Sequence, residues 1–156
     1  MVGALAIAVV FIGYLEYGKV RELRDEIVAL KAEINHRLFV GQQSQQRIIA
    51  SYGVSDIAVK IALLKEAVAL DPDSFNGFNA LGYAHLSKGD RDAAIAAFIQ
   101  ATIRHPKAKA GWFDLAGVYV SLGRIDLARE ALGKAIAADP SARNDALDDP
   151  RFSDLV

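Results

Sequence analysis

The residues of this chain best equipped for metal or acid–base chemistry are three histidines, His36, His85 and His105, and a carboxylate cluster, Asp145, Asp148 and Asp149. A zinc shell on a helix needs a second imidazole or carboxylate about one turn away, and an activated nucleophile needs a base within hydrogen-bond reach. None of the histidines has a histidine four residues away, and no HExxH, GxSxG, phosphate-loop or dinucleotide fingerprint occurs. The aspartates lack the glycine and terminal glutamate of a calcium loop, so they read as helix caps and solvated charge. A lone imidazole cannot build a metal shell, and His85 reads as a packed or hydrogen-bonded residue. The chain holds no cysteine, which removes thiolate ligands and thiol nucleophiles. No catalytic residue, metal or cofactor is assigned, and a non-enzymatic role is expected. At the C-terminus, Asp154, Leu155 and Val156 end in a carboxylate behind an apolar residue, a form that a backbone nest could capture. Simple packing is the plainer reading.

Binding surfaces are the remaining source of function, and composition narrows them. A net charge of −1 over 156 residues provides no field for a phosphate backbone, so nucleic acid is excluded as an expected partner. Apolar residues make up 53% of the chain, enough for a core. The first fifteen residues, Met1 to Leu15, carry no charged side chain and are followed by Glu16 and Lys19. Such a run is expected to enter a bilayer, with Tyr14 and Tyr17 at the interface and Lys19 snorkelling. No basic residue precedes it and no small-x-small cleavage site follows, so an uncleaved anchor over 1–18 is expected rather than a secretory signal. Lys19, Arg21, Arg24 and Lys31 all lie after the run, which by the positive-inside rule makes this a single-pass membrane protein with its large part in the cytoplasm.

Over 19–40 the apolar residues Val20, Leu23, Ile27, Leu30 and Ile34 are spaced 3, 4, 3 and 4. That is the a/d seam of a left-handed coiled coil, with β-branched residues at a and Leu at d favouring a parallel homodimer. Glu26 at g faces Lys31 at e of a partner helix, while Lys19 and Arg24 repel in the same register. Two and a half heptads also fit a single amphipathic helix packed on the next domain. From Phe39 to Tyr52 the chain is polar and less periodic, and reads as a junction with a weak helix near Ile48.

Beyond it the chain repeats itself. The stretch from Phe78 to Pro106 aligns without a gap to Trp112 to Pro140, 34 residues later, keeping Leu81/Leu115, Gly89/Gly123, Ala94/Ala128, Ala101/Ala135 and Pro106/Pro140. A fixed period of this length marks a solenoid. Each copy divides at its glycine into two helical stretches, so the unit is a helical hairpin and the fold is all-α. Gly89 and Gly123 suit a left-handed helix end, and the prolines stop the second helix. Small residues at Gly82/Ala116 and Ala94/Ala128 let two axes approach, with Phe78/Trp112 and Phe98/Leu132 filling the flanks.

This pattern resembles the tetratricopeptide repeat family, whose order over 34 residues is aromatic, Leu-Gly, Tyr, Gly, Ala, aromatic, Ala, Pro. Phe78, Leu81, Gly82, Gly89, Ala94, Phe98, Ala101 and Pro106 match it in 75–106; Trp112, Leu115, Tyr119, Gly123, Ala128, Ala135 and Pro140 match it in 109–140. His85, Ala116 and Leu132 depart from it in volume-tolerant ways. A degenerate third copy is expected over 42–72, with Leu64, Ala67 and Pro72 in its second helix and Ile48, Ile49 and Tyr52 in its first, and the array extends over 41–140. The remaining 141–156, with Ala146, Phe152 and Leu155, is expected to cap the last repeat.

The resemblance implies a concave groove lined by the first helices, which places Asn76, Asn79, Tyr83, Phe113, Gly117 and Val120 on it. Asn amides can bond an extended peptide and the aromatic rings can hold its apolar side chains. In the chaperone-tail binders of the family a basic clamp takes a terminal carboxylate; here Asn79 and Tyr83 stand where its Lys and Asn would be, and Asp114 where an Asn would be. An acidic tail is therefore a poor ligand. The alternative is that groove residues contact the protein's own stalk or cap. The expected function is a membrane-tethered adaptor that recruits or helps assemble a protein complex, the alternative a permanent structural subunit of a membrane complex.

Overall fold

The computed structural model describes residues 2–153 and 155, with the side chains of residues 2–9, 11, 12 and 15 outside the description. Among the described residues every element is helical: α1 (Val2–Tyr52), α2 (Ile57–Leu70), α3 (Gly77–Lys88), α4 (Arg91–Arg104), α5 (Lys109–Ser121), α6 (Ile125–Ala138), α7 (Ala142–Asp148) and a short 3₁₀ helix, Pro150–Phe152. The all-α expectation is met. The chain divides into two compact units, Met1–Val40 and Gly41–Val156.

In the second unit, α3 pairs with α4 and α5 with α6, and the two hairpins are closed by the same backbone device. Gly89 and Gly123 take φ of 83° and 68°, the left-handed region that a Cβ would penalise. Behind each, two amides reach back to free helix-end carbonyls: Gly89 to Leu86 and Asp90 to His85, then Gly123 to Val120 and Arg124 to Tyr119, all at 2.9 Å. The second helix of the first hairpin starts on Asp90, whose carboxylate accepts from the Ala93 amide. Asp56 does the same for α2 through the amides of Ala58 and Val59.

The hairpins close tightly because small residues face large ones. Ala94, Ala116, Ala128 and Ala135 have no exposed surface, nor does Phe98. A Cβ on Gly82 would lie 2.6 Å from the Phe98 ring, so only a bare backbone admits that ring. The equivalent pair in the second hairpin is Ala116 and Leu132, both buried in one cluster with Phe98. One methyl gained on the first helix is matched by a smaller side chain on the second, which explains the two departures from the repeat pattern together.

The polar stretch expected as a junction is helix instead. Ser44, Ile48 and Ser51 are buried on one face of α1, beside α2. The Ser44 hydroxyl donates to the Ala67 carbonyl at 2.9 Å, and Ser51 to Ile48 at 2.6 Å. Ile48 packs with Ile61, Leu64 and Ala67. Ile49, expected inside, is 65% exposed. The face was hidden in the sequence because two of its three residues are serines, which bury only when a backbone carbonyl, here of α2 for Ser44 and of α1 itself for Ser51, accepts from the hydroxyl.

Within the first unit, α1 exposes the seam residues Val20, Leu23, Ile27, Leu30 and Ile34. Among the described residues no helix is long and apolar enough to cross a membrane; the anchor expected over 1–18 falls largely on residues whose side chains lie outside the description.

Replacing Gly82 by Ala should lower stability by about 1–3 kcal/mol, since the Phe98 ring has no room to retreat. Gly133, on an open face of α6 with nothing within 4 Å of its Cβ position, should gain up to about 1 kcal/mol on the same change. Urea unfolding of the two variants checks the opposed signs.

Candidate functional site

The candidate groove residues sit on α3 and α5, whose side chains meet through one acidic residue. Asp114 stands on α5, part-buried, and its carboxylate accepts from the Asn79 amide at 2.6 Å and from the Tyr83 hydroxyl. Asn79 is buried. Burial pushes the Asp114 carboxyl above its ordinary value, against the two hydrogen bonds and the nearby positive charge of Arg151. Burial, then the bond to Asp114, raises the Tyr83 phenol in turn, so that it holds its proton as a donor. The Tyr83 ring meets Phe98 edge-on, centroids 5.3 Å apart. The first hairpin's core and its groove surface are therefore one piece.

The other half of the face is covered by the chain's own C-terminal segment. Phe152 is fully buried and meets Phe113 edge to face, centroids 4.9 Å apart. The Arg151 guanidinium lies over Gly117, with its Nη1 2.6 Å from where a Cβ would stand. Asp149 fixes that guanidinium through bonds of 2.6 Å from Nη2 and 3.0 Å from Nε, and caps the 3₁₀ helix by accepting from the Arg151 amide. Leu155 packs on the same cluster; Asp154 and Val156, which would form the expected terminal recognition signal, lie outside the described residues.

Of the six groove candidates, Asn79 and Tyr83 are joined by Asp114, Phe113 and Gly117 lie under Phe152 and Arg151, and Val120 is half-buried against the core. Asn76, the one non-glycine residue with positive φ among those described, donates to the Tyr52 hydroxyl at 3.2 Å. What stays open is a cleft of about 290 Å³ between the end of α1, α2 and α3. Tyr52, Lys60, Asn76, Tyr83 and Ser87 line it. Phe152, expected in the cap of the last repeat, reaches the candidate groove residue Phe113, as the self-contact alternative expects; Arg151, which carries no periodic signal, was not singled out by sequence reasoning.

The histidines lie on separate elements. His85 is buried on α3, with its Nδ1 3.6 Å from the Asp90 carboxylate and no hydrogen-bond partner, and burial lowers its affinity for a proton despite Asp90. His36 is exposed on α1, and His105 ends α4. Among the described residues no three metal-capable side chains cluster. Asp145 pairs with Lys109 at 2.6 Å and Asp149 with Arg151, while Asp148 is the last residue of α7.

The tetratricopeptide repeat family model matches residues 79–143, from the buried Asn79 into α7. The chain is also similar to the crystal structure of MamA, at 27% identity and a TM-score of 0.55 over 72% of this chain and 64% of that one. It thus spans less than two thirds of that protein's length. None of the curated proteins matches it. Sequence and fold together support tetratricopeptide repeats here.

Replacing Asp114 by Ala leaves two donors without an acceptor, one of them buried, and should cost about 1–3 kcal/mol in urea unfolding. Replacement by Asn, which keeps one carbonyl oxygen, should cost less. For His85 the sign follows from its lowered folded value. The unfolded chain takes up the proton first, so stability is lost as pH falls through the ordinary value of 6.5. The urea midpoint should therefore be lower at pH 5.5 than at pH 7.5, and the difference should shrink in His85→Gln.

Proposed function

We propose that this protein is a non-enzymatic scaffold that holds another protein on its repeat array, kept at a membrane by its N-terminal run. The observation that carries the reading is the joining of α3 to α5 through Asn79, Tyr83 and Asp114, the first helices whose surface repeat solenoids use for binding. The cleft beside it supplies exposed aromatic rings at Tyr52 and Tyr83 with amide and hydroxyl groups between them, the mixture that holds an extended peptide. The likeness to MamA supports the repeat architecture on which this reading rests.

Met1 to Leu15 supports attachment to the membrane. The run enters the bilayer as an anchor or lies among the helices of a larger complex, with Lys19, Arg21, Arg24 and Lys31 on the cytoplasmic side. The exposed seam Val20, Leu23, Ile27, Leu30 and Ile34 supports a parallel homodimer. Confinement at a surface raises the effective concentration that so short a seam needs.

A second reading, a permanent bracing subunit, is favoured by the engagement of Phe113 and Gly117 within the chain itself. Gentle detergent extraction of native membranes, with a C-terminal tag and mass determination, separates the two. The scaffold reading expects two copies of the chain with partners in variable, substoichiometric amounts, and a single copy when Ile27 and Leu30 are both changed to Glu. A constant, equimolar set of membrane proteins would instead establish the bracing subunit.

A further inference from the structure

We infer that the segment Asp149–Phe152 is an internal ligand of the concave face, and that the protein taken there displaces it with a basic side chain followed directly by an aromatic one. The inference rests on the scaffold reading and deepens it by naming the chemistry of the partner.

The segment shows what the face accepts. Its Phe152 ring fills an apolar site against Phe113 and is removed from water completely. Its Arg151 lies over Gly117, one helical turn beyond Asp114, where the absence of a side chain leaves room for a planar guanidinium. Ring, glycine floor and carboxylate thus present an apolar pocket next to a negative charge at the spacing of two adjacent residues. A peptide with Arg or Lys before Phe, Tyr or Trp matches both at once.

The occupant is poorly matched in one respect. The Arg151 guanidinium spends its Nε and Nη2 donors on Asp149 within the same segment. Among the described residues, Asp114 accepts only from Asn79 and Tyr83, both neutral. A partner cation without an acid two residues before it meets Asp114 with its donors free, and a charge-assisted bond there is about twice as strong as a neutral one. Intramolecular tethering through α7, which is packed at Ala142 and Ala146, keeps the segment in place otherwise by raising its effective concentration at the face. Such an occupant excludes weak ligands and yields to a matched one.

The probe is a labelled octapeptide with the sequence of Asp149 to Val156, followed by fluorescence anisotropy. Binding to the unmodified full chain should be weak, and at least about tenfold tighter to the full chain carrying Arg151→Ala and Phe152→Ala. A peptide with Glu for the Arg and Ala for the Phe should not bind, and Phe113→Ala in the double variant should abolish binding. Equal affinity for both chains would overturn the inference. Because Phe152→Ala opens the core, amide exchange on the unmodified chain provides a second reading. The Phe152 and Leu155 amides, bonded to Asp149 and Phe152, should exchange at least about tenfold faster than those of α5 and α6. Exchange at the rate of global unfolding would make the segment a fixed cap and overturn displacement. Self-association of the unmodified chain that is lost with Arg151→Ala would assign the segment to a second copy and overturn the separate partner. The membrane extraction is independent of all three: partners recovered with a fixed cap leave the scaffold reading intact, and a displaceable segment with no partner recovered would sink that reading instead.

Discussion

The structure depends on the approach of two helix axes that only small residues allow. Gly82 yields its whole side-chain volume to the Phe98 ring, and Ala94, Ala116, Ala128 and Ala135 do the same at their own crossings. Close-packed interiors cannot absorb an extra methyl at such points, so the crossings set the geometry of each hairpin. The pair Ala116 and Leu132 shows the constraint acting on a sum of volumes: where the first helix gains a methyl, the second carries the smaller side chain.

The same ring links core to surface. Phe98 supports Tyr83 from beneath, Tyr83 donates to Asp114, and Asp114 holds Asn79, so these candidate groove residues are anchored in a packed interior rather than on a loop. A site preorganised in this way loses little conformational entropy when it is used. The carboxylate at its centre is the costly element. Burial works against its charge, and two donors with a neighbouring guanidinium offset that cost.

Part of the face formed by α3, α5 and the end of α1 is open and part is covered. The open part, near Tyr52 and Asn76, belongs to the degenerate hairpin of α1 and α2, where α1 meets α2 through the Ser44 hydroxyl as well as apolar side chains. The covered part belongs to α5, in the repeat over 109–140, where the short 3₁₀ helix turns an aromatic residue inward.

The 34-residue repetition, the two glycines with positive φ and the pattern of small and large residues were legible before any coordinates, since each reflects a local requirement of a hairpin: a helix end, a crossing, a stop. Likewise the exposed heptad residues of α1 are a property of spacing alone. Beyond that reach lay the helical course of Phe39 to Tyr52, because Ser44 becomes a buried residue only when the Ala67 carbonyl stands 2.9 Å away. So did the fate of the groove. Asp114 became its hub through partners 31 and 35 residues distant, and Phe152 its occupant through a ring that lies 39 residues back along the chain. Repeating neighbours write their packing into the sequence as a period, whereas a single contact between distant segments occurs once and leaves no period to read; only the folded chain decides it.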